Sequence, residues 1–177
     1  MRRYICVPSL VAALTALMFT APVSAATDWH TVREPWQSYE VDELYLPADR
    51  YCGDFDLSAT PVFQDVRQRV ISRWNSGGPR ETVYNGPLRT RNTNKTTGES
   101  VLSNLSGRAE TIQREDGSLA TYASTGPIGM GFPRGSVGLD AGFYLFRGRH
   151  VVDFPAGHPR RLVVDRGTET NICDLVR

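Results

Sequence analysis

The sequence predicts an all-β domain, an antiparallel barrel or sandwich of about seven or eight strands with an N-terminal aromatic arm. Three observations carry that expectation. From Cys52 onward the side chains alternate with a period of two rather than 3.6. Turn signals recur about every 8–12 residues. No internal repeat is evident among them.

The beginning of the chain sets its context. Arg2 and Arg3 form a short basic start, an apolar stretch runs from Tyr4 to Phe19, and the small residues of "TAPVSAAT" follow. This is the order of a secretory signal peptide over residues 1–26, cleaved after Ala25 or Ala26. The stretch is short for a membrane span, which needs about 20 apolar residues, and no second one follows. Neither Cys6 nor Cys52 sits where a lipid-bearing cysteine would. The expectation is a secreted chain with no membrane span. Cleavage leaves 177 − 26 = 151 residues, a single-domain length. The formal charge is then 18 − 19 = −1, so no bulk field attracts nucleic acid, and a monomer is expected.

Residues 27–51 read as an arm distinct from the β domain at 52–177. The arm holds Trp29, Trp36 and three tyrosines, and Pro35 and Pro47 interrupt any long helix. It reads either as an extended cover for the domain or as a partner-binding tail. Residues 63–74 suit a strand or, through Phe63, Val66 and Val70, a helix. "RETVYNGPLRTRNT" is a strand broken near Asn85-Gly86-Pro87. Asn94 to Gly98 forms a turn. Beyond it Val101, Ser103, Leu105, Gly107 and Ala109 alternate with Leu102, Asn104, Ser106, Arg108 and Glu110. The first set suits a core face and the second a solvent face. Two N-x-[ST] sequons, at Asn94 and Asn104, fall in this turn-and-strand pattern. Glu115 to Ser118 is a hairpin signal.

Gly126 to Gly138, "GPIGMGFPRGSVG", has five glycines and two prolines. It is expected to be irregular and mobile, either a crossover or a lid over a pocket, with Arg134 its first point of proteolysis. Residues 139–146 are apolar on both faces, which implies a strand covered on both sides. The aromatic arm is the expected cover, with Trp29 and Trp36 docked against Tyr144 or Phe146, and these four also form a candidate partner surface. "HVVDF", "PAGHP" and "RRLVVDR" make a last hairpin.

Catalytic motifs are not apparent. His150, Asp153 and His158 have zinc-ligand chemistry but straddle a Pro-Gly turn in no familiar spacing, so no metal is expected. Ser136 lacks the glycine of a nucleophile elbow. Glu110, Glu115, Asp116, Asp140 and Asp153 offer no distinguished carboxylate pair. No cofactor is implied. Arg89, Arg91 and Arg108 share a face if 83–93 pairs with 100–112. They read either as a patch for a phosphate or carboxylate, or as ion-pair partners of Glu99, Glu110 and Glu115. Cys52 and Cys173 are the only cysteines left after cleavage, and export favours a disulfide between them.

"CG" at 52–53, "NKTTGES" at 94–100, "NLSG" at 104–107, "DGS" at 116–118, "GLDAG" at 138–142 and the terminal "ICDLV" give the chain a resemblance. It resembles a group of short secreted actinobacterial proteins with a signal peptide and two bracketing cysteines. That lysine occurs only at Lys95 among the 20 basic residues agrees with such a source. The group is uncharacterised and implies no site residue. The function expected is a secreted, non-enzymatic β-domain that binds a small molecule or an envelope or protein surface. The alternative is a small hydrolase or isomerase with its site in a barrel mouth.

Overall fold

A computed structural model describes residues 28–177, so the expected signal peptide lies outside the described residues. The arm contributes β1 (Trp29–Thr31), β2 (Gln37–Tyr39) and β3 (Leu44–Leu46). The strands that follow come in consecutive pairs: β4 (Leu57–Gln64) and β5 (Val66–Trp74), β6 (Pro79–Asn85) and β7 (Leu88–Asn94), β8 (Ser100–Asn104) and β9 (Arg108–Gln113), β10 (Leu119–Thr125) and β11 (Ile128–Phe132). The long strands β12 (Gly142–Asp153) and β13 (Arg161–Asn171) and a single turn of helix, α1 (Ile172–Leu175), complete the order.

All pairing between these strands is antiparallel, in one sheet of nine strands and one of four. Each pair is nonetheless one long strand interrupted by a bend. Asn85 lies opposite Arg108, and four residues further on Arg89 lies opposite Asn104, so the hairpin crosses between sheets without losing register. In the same way Thr125 pairs with Arg149 and Ile128 with Phe146 along a single β12. Seven runs in chain order therefore form one meander, folded across its middle so that its halves face each other like a sandwich. The number of strands exceeds expectation because folding breaks the long runs. The barrel alternative is not realised, since β3 and β8 remain the open edges of the smaller sheet.

Glycine marks the fold line. Gly86, Gly107, Gly126, Gly148 and Gly167 stand at matched positions on five neighbouring runs. The Gly126 amide donates to the Gly148 carbonyl at 2.9 Å, and Gly148 is the direct partner of Gly167. Gly86 has φ 139°, and a Cβ there would lie 2.2 Å from the Asp65 carbonyl oxygen. No side chain fits between backbones brought that close.

Two apolar clusters sit inside. The first joins Leu57, Leu105, Phe143 and Leu145 to Phe55, Ile172 and Val176, with Cys52 and Cys173 within it. These cysteines form the expected disulfide, Cα atoms 5.4 Å apart, inside the usual range for a bridge. The second gathers Phe132, Tyr144, Phe146 and Val152.

Several expectations are corrected here. Of the two readings of 63–74 the strand holds, across the end of β4 and all of β5, because the backbone groups of β5 are needed by β1, β2 and β6 on either side. The glycine-rich segment is not wholly irregular, since β11 runs through it and pairs with β12. Two of its glycines serve close approach: a Cβ on Gly129 would meet the Phe143 ring at 2.8 Å, and one on Gly131 would meet Tyr51 at 2.9 Å. The turn after it is anchored, with the Arg134 amide donating to the Arg50 carbonyl at 2.7 Å. Of the expected strand 139–146, residues 142–146 are strand and buried on both faces, covered by the two clusters and not by the arm's tryptophans, while Asp140 is exposed. Trp29 pairs across from Trp74 and lies under the Arg80 guanidinium at 4.2 Å, while Trp36 stacks with Arg69 at 4.8 Å. Tyr144 and Phe146 are buried edge-on to Phe132.

Candidate functional site

Folding the meander leaves a cavity of about 340 Å³ between the two sheets. Apolar side chains supply most of its wall, among them Val66, Leu88, Leu105, Ala109, Ile128 and Phe143. They come from alternate positions on successive runs, which is why one face of the meander can be greasy while the other is wet. Polar groups enter at few places. Tyr84, Thr111 and Tyr122 contribute hydroxyls from β6, β9 and β10, and Tyr39 contributes one from the arm. The Tyr39 and Tyr84 rings meet edge to face at 5.0 Å. Thr111 and Tyr122 are direct cross-strand partners.

Burial sets the protonation of these phenols. It raises the Tyr84 hydroxyl above its ordinary value, Tyr39 adds to the rise, and a bond with Thr111 opposes it. Tyr122 is pushed up strongly, first by burial and then by the neighbouring Tyr84 and Tyr39. Both phenols therefore stay neutral and can each donate a hydrogen bond. Among the described residues the wall contains one carboxylate, Asp42, and no histidine, cysteine or serine.

The arm closes the mouth. Tyr39, Val41, Asp42 and Leu44 line the cavity as residues 37–46 run beside the first long strand. Between β2 and β3 the ladder is interrupted, and the Gln64 side chain replaces it. Its Oε1 accepts from the Val41 amide at 2.7 Å and its Nε2 donates to the Val41 carbonyl at 3.3 Å. Lower down, Asp56 accepts from the Tyr45 hydroxyl and, at 2.7 Å, from the Ala48 amide. These two bonds, the tyrosine's first, hold the Asp56 carboxyl below its ordinary range. Because the folded value is the lower one, this contribution to docking is present at neutral pH. It is lost as pH falls through the ordinary carboxylate range and then the depressed folded value. The protection factors of the Tyr45, Leu46 and Ala48 amides, observed rates being corrected for intrinsic exchange at each pH, are expected to fall in acid in the natural chain. In Asp56→Asn they should be low already at neutral pH, and equal protection factors in both chains at every pH would show that Asp56 does not pin the arm.

A second constellation lies on the strands beyond the cavity. Ser124, His150 and Asp165 occupy one cross-strand row of β10, β12 and β13. His150 is sealed from solvent, its ring stacked on Phe146 at 4.3 Å. Its Nε2 lies 2.7 Å from Glu169 Oε1 and 3.3 Å from Asp165 Oδ1. Ser124 beside His150 is reminiscent of a nucleophile and its base, but Ser124 is only 4% exposed and its Oγ makes no hydrogen bond among the described residues.

The residues picked out from sequence are placed differently. Arg89 and Arg91 lie on β7 and Arg108 on β9, all three exposed, with the glycine fold line between the first two and the third. The bend separates them, and Arg108 is held by Glu110 at 2.7 Å. The pairing of 83–93 with 100–112 is as expected, with Asn85 opposite Arg108 and Arg89 opposite Asn104. His150, Asp153 and His158 do not converge: Asp153 accepts from Thr121 at 3.2 Å, and His150 turns instead to β13. Asn94, in the first sequon, is buried and donates its side-chain amide to the Val176 carbonyl at 2.9 Å. It tethers the C-terminus as well as making its turn. The tyrosines of the cavity and the acids Asp165 and Glu169 were not singled out by the sequence. One available signal was the spacing of the glycines, 107 − 86 = 21, 126 − 107 = 19, 148 − 126 = 22 and 167 − 148 = 19, which marks a shared row on successive runs.

No family model, no curated protein and no solved structure matches the chain. Among the described residues no helix is long and apolar enough to cross a membrane.

Proposed function

We propose that this chain is a secreted binding domain that takes a small, largely apolar molecule into the cavity between its sheets. One observation carries the reading: an apolar chamber of about 340 Å³ into which three tyrosines from separate strands converge. Chambers of roughly 300–1,000 Å³ with few polar groups are typical of small-molecule sites. Neutral phenols at Tyr84 and Tyr122 select a ligand with a hydrogen-bond acceptor, such as a carbonyl or ether oxygen. The disulfide agrees with an exported protein.

The test uses the chain recovered from culture medium, examined by native mass spectrometry and then titrated with aromatic ketones and alcohols. A bound small molecule, or saturable binding of one compound class, is expected. Ala109→Leu should fill the chamber and abolish binding while leaving the melting temperature within a few degrees. Tyr122→Phe should weaken binding about 2- to 12-fold, the worth of one hydrogen bond. Undiminished binding in Ala109→Leu would place the ligand elsewhere and end this reading.

A further inference from the structure

We propose that His150, Asp165 and Glu169 form a site for one divalent first-row cation, Zn²⁺ by the nature of its ligands. Three donor atoms, one from each residue, lie within 4.8 Å of one another. The strands hold them there: His150 is the cross-strand partner of Asp165, and Glu169 is the partner of Phe146, on which the imidazole is stacked.

Hydrogen counting is the first argument. A ring nitrogen carries at most one hydrogen, so Nε2 cannot donate well to both carboxylates that flank it. Neither acid has another basic partner among the described residues, although Arg147, Arg149 and Arg166 lie on the same two strands. Two carboxylates facing one imidazole nitrogen leave a surplus of negative charge beside a buried ring. A dication bound through the Nε2 lone pair and one oxygen of each acid balances it.

The second argument comes from the other side of the ring. His150 Nδ1 is buried without a hydrogen-bond partner, and so is Ser124 Oγ. The two residues are direct partners on β12 and β10, a placement that puts Cβ atoms about 4.5–5.5 Å apart. With Nε2 bound to metal, the ring proton must sit on Nδ1, and a change of rotamer at Ser124, its cross-strand partner, would turn the hydroxyl toward it as an acceptor. Histidine ligands characteristically donate their second N–H in this manner. Metal binding thus fixes the Nδ1–H tautomer and gives the Ser124 hydroxyl a donor to turn toward.

Distances and access agree. Zinc bonds of about 2.0–2.1 Å set tetrahedral neighbours roughly 3.3 Å apart. The His150–Asp165 separation, 3.3 Å, already matches, and Glu169, at 2.7 Å, needs a small outward shift. Asp165 is half exposed and His150 fully buried, so the ion enters from the Asp165 side and water completes its coordination there.

The full exported chain, stripped with chelator and checked by circular dichroism, is titrated with Zn²⁺ in a calorimeter and then analysed for retained metal. One equivalent is expected. Asp165→Asn and Glu169→Gln keep side-chain shape, and each should weaken binding by roughly 100-fold; Ser124→Ala should weaken it about 10-fold. His158→Ala should change nothing. No retained zinc, unchanged affinity in both acid variants, or a loss confined to His158→Ala would overturn the site. Full affinity in Ser124→Ala would overturn the role given to the Nδ1 proton.

Discussion

Gly148→Ala is expected to cost about 3–5 kcal/mol or to prevent folding, placing it among the most damaging single substitutions in the chain. Two independent penalties coincide there. The backbone has φ 110°, which an L side chain rarely adopts, and a Cβ would lie 2.3 Å from the Arg166 carbonyl oxygen and 2.7 Å from the Gly167 Cα. Both obstructing atoms are backbone in a paired strand, so neither can swing away. The control is Gly117→Ala. It has φ 81° at a hairpin turn with nothing within 4 Å of the added carbon, and should cost only about 1–2 kcal/mol from strain. Denaturant unfolding of both variants decides the matter. Equal losses would mean that close approach at the fold line contributes nothing beyond the backbone angle.

Replacing Cys52 and Cys173 together by alanine is expected to cost about 2–5 kcal/mol, roughly 5–20 °C in melting temperature for a domain of this size. The bridge spans a sequence separation of 121 and closes the described strands β4 to β13 within one loop. The chain-entropy model assigns such a closure about 5 kcal/mol. Packing adds a second loss, because both cysteines are buried in the cluster that joins residues 52–57 to α1. Reductant alone should act slowly on the folded protein, and quickly once denaturant opens that cluster. A double variant that melts with the natural chain, or two alkylatable thiols in protein taken from the medium, would show that the bridge does not form in use.

Local pattern made part of this molecule legible. Alternation at 101–110 gave the right faces: Ser103, Leu105 and Ala109 are buried while Leu102, Asn104 and Arg108 are exposed. Such alternation is a property of the strand itself, since neighbouring side chains point to opposite sides whatever the strand packs against. The turns at Asn94 to Gly98 and Glu115 to Ser118 were legible for the same reason, being set by a few adjacent residues. So was the cysteine pair, because only two remain after the expected cleavage.

What pairs across the sheets was not local and could not be read in that way. Trp29 and Trp36 found arginine partners at Arg80 and Arg69, whereas Tyr144 and Phe146 were covered by Phe132. Apolar content specifies that a surface is buried, not by which residue, because the hydrophobic effect is non-directional. Gly129 and Gly131 read as loop residues because backbone freedom is their local property. Only the Phe143 and Tyr51 rings pressed against them show that the missing Cβ matters more. The cavity and the His150, Asp165 and Glu169 set arise in the same manner. Residues 15 and 19 places apart become neighbours when β12 and β13 fix their register and Gly148 bends the strand. The sequence thus determined the all-β class, the wet and buried faces at 101–110, the turns at 94–98 and 115–118, and the cysteine pair. The tertiary structure alone decided where the meander folds, and with it which side chains enclose a space.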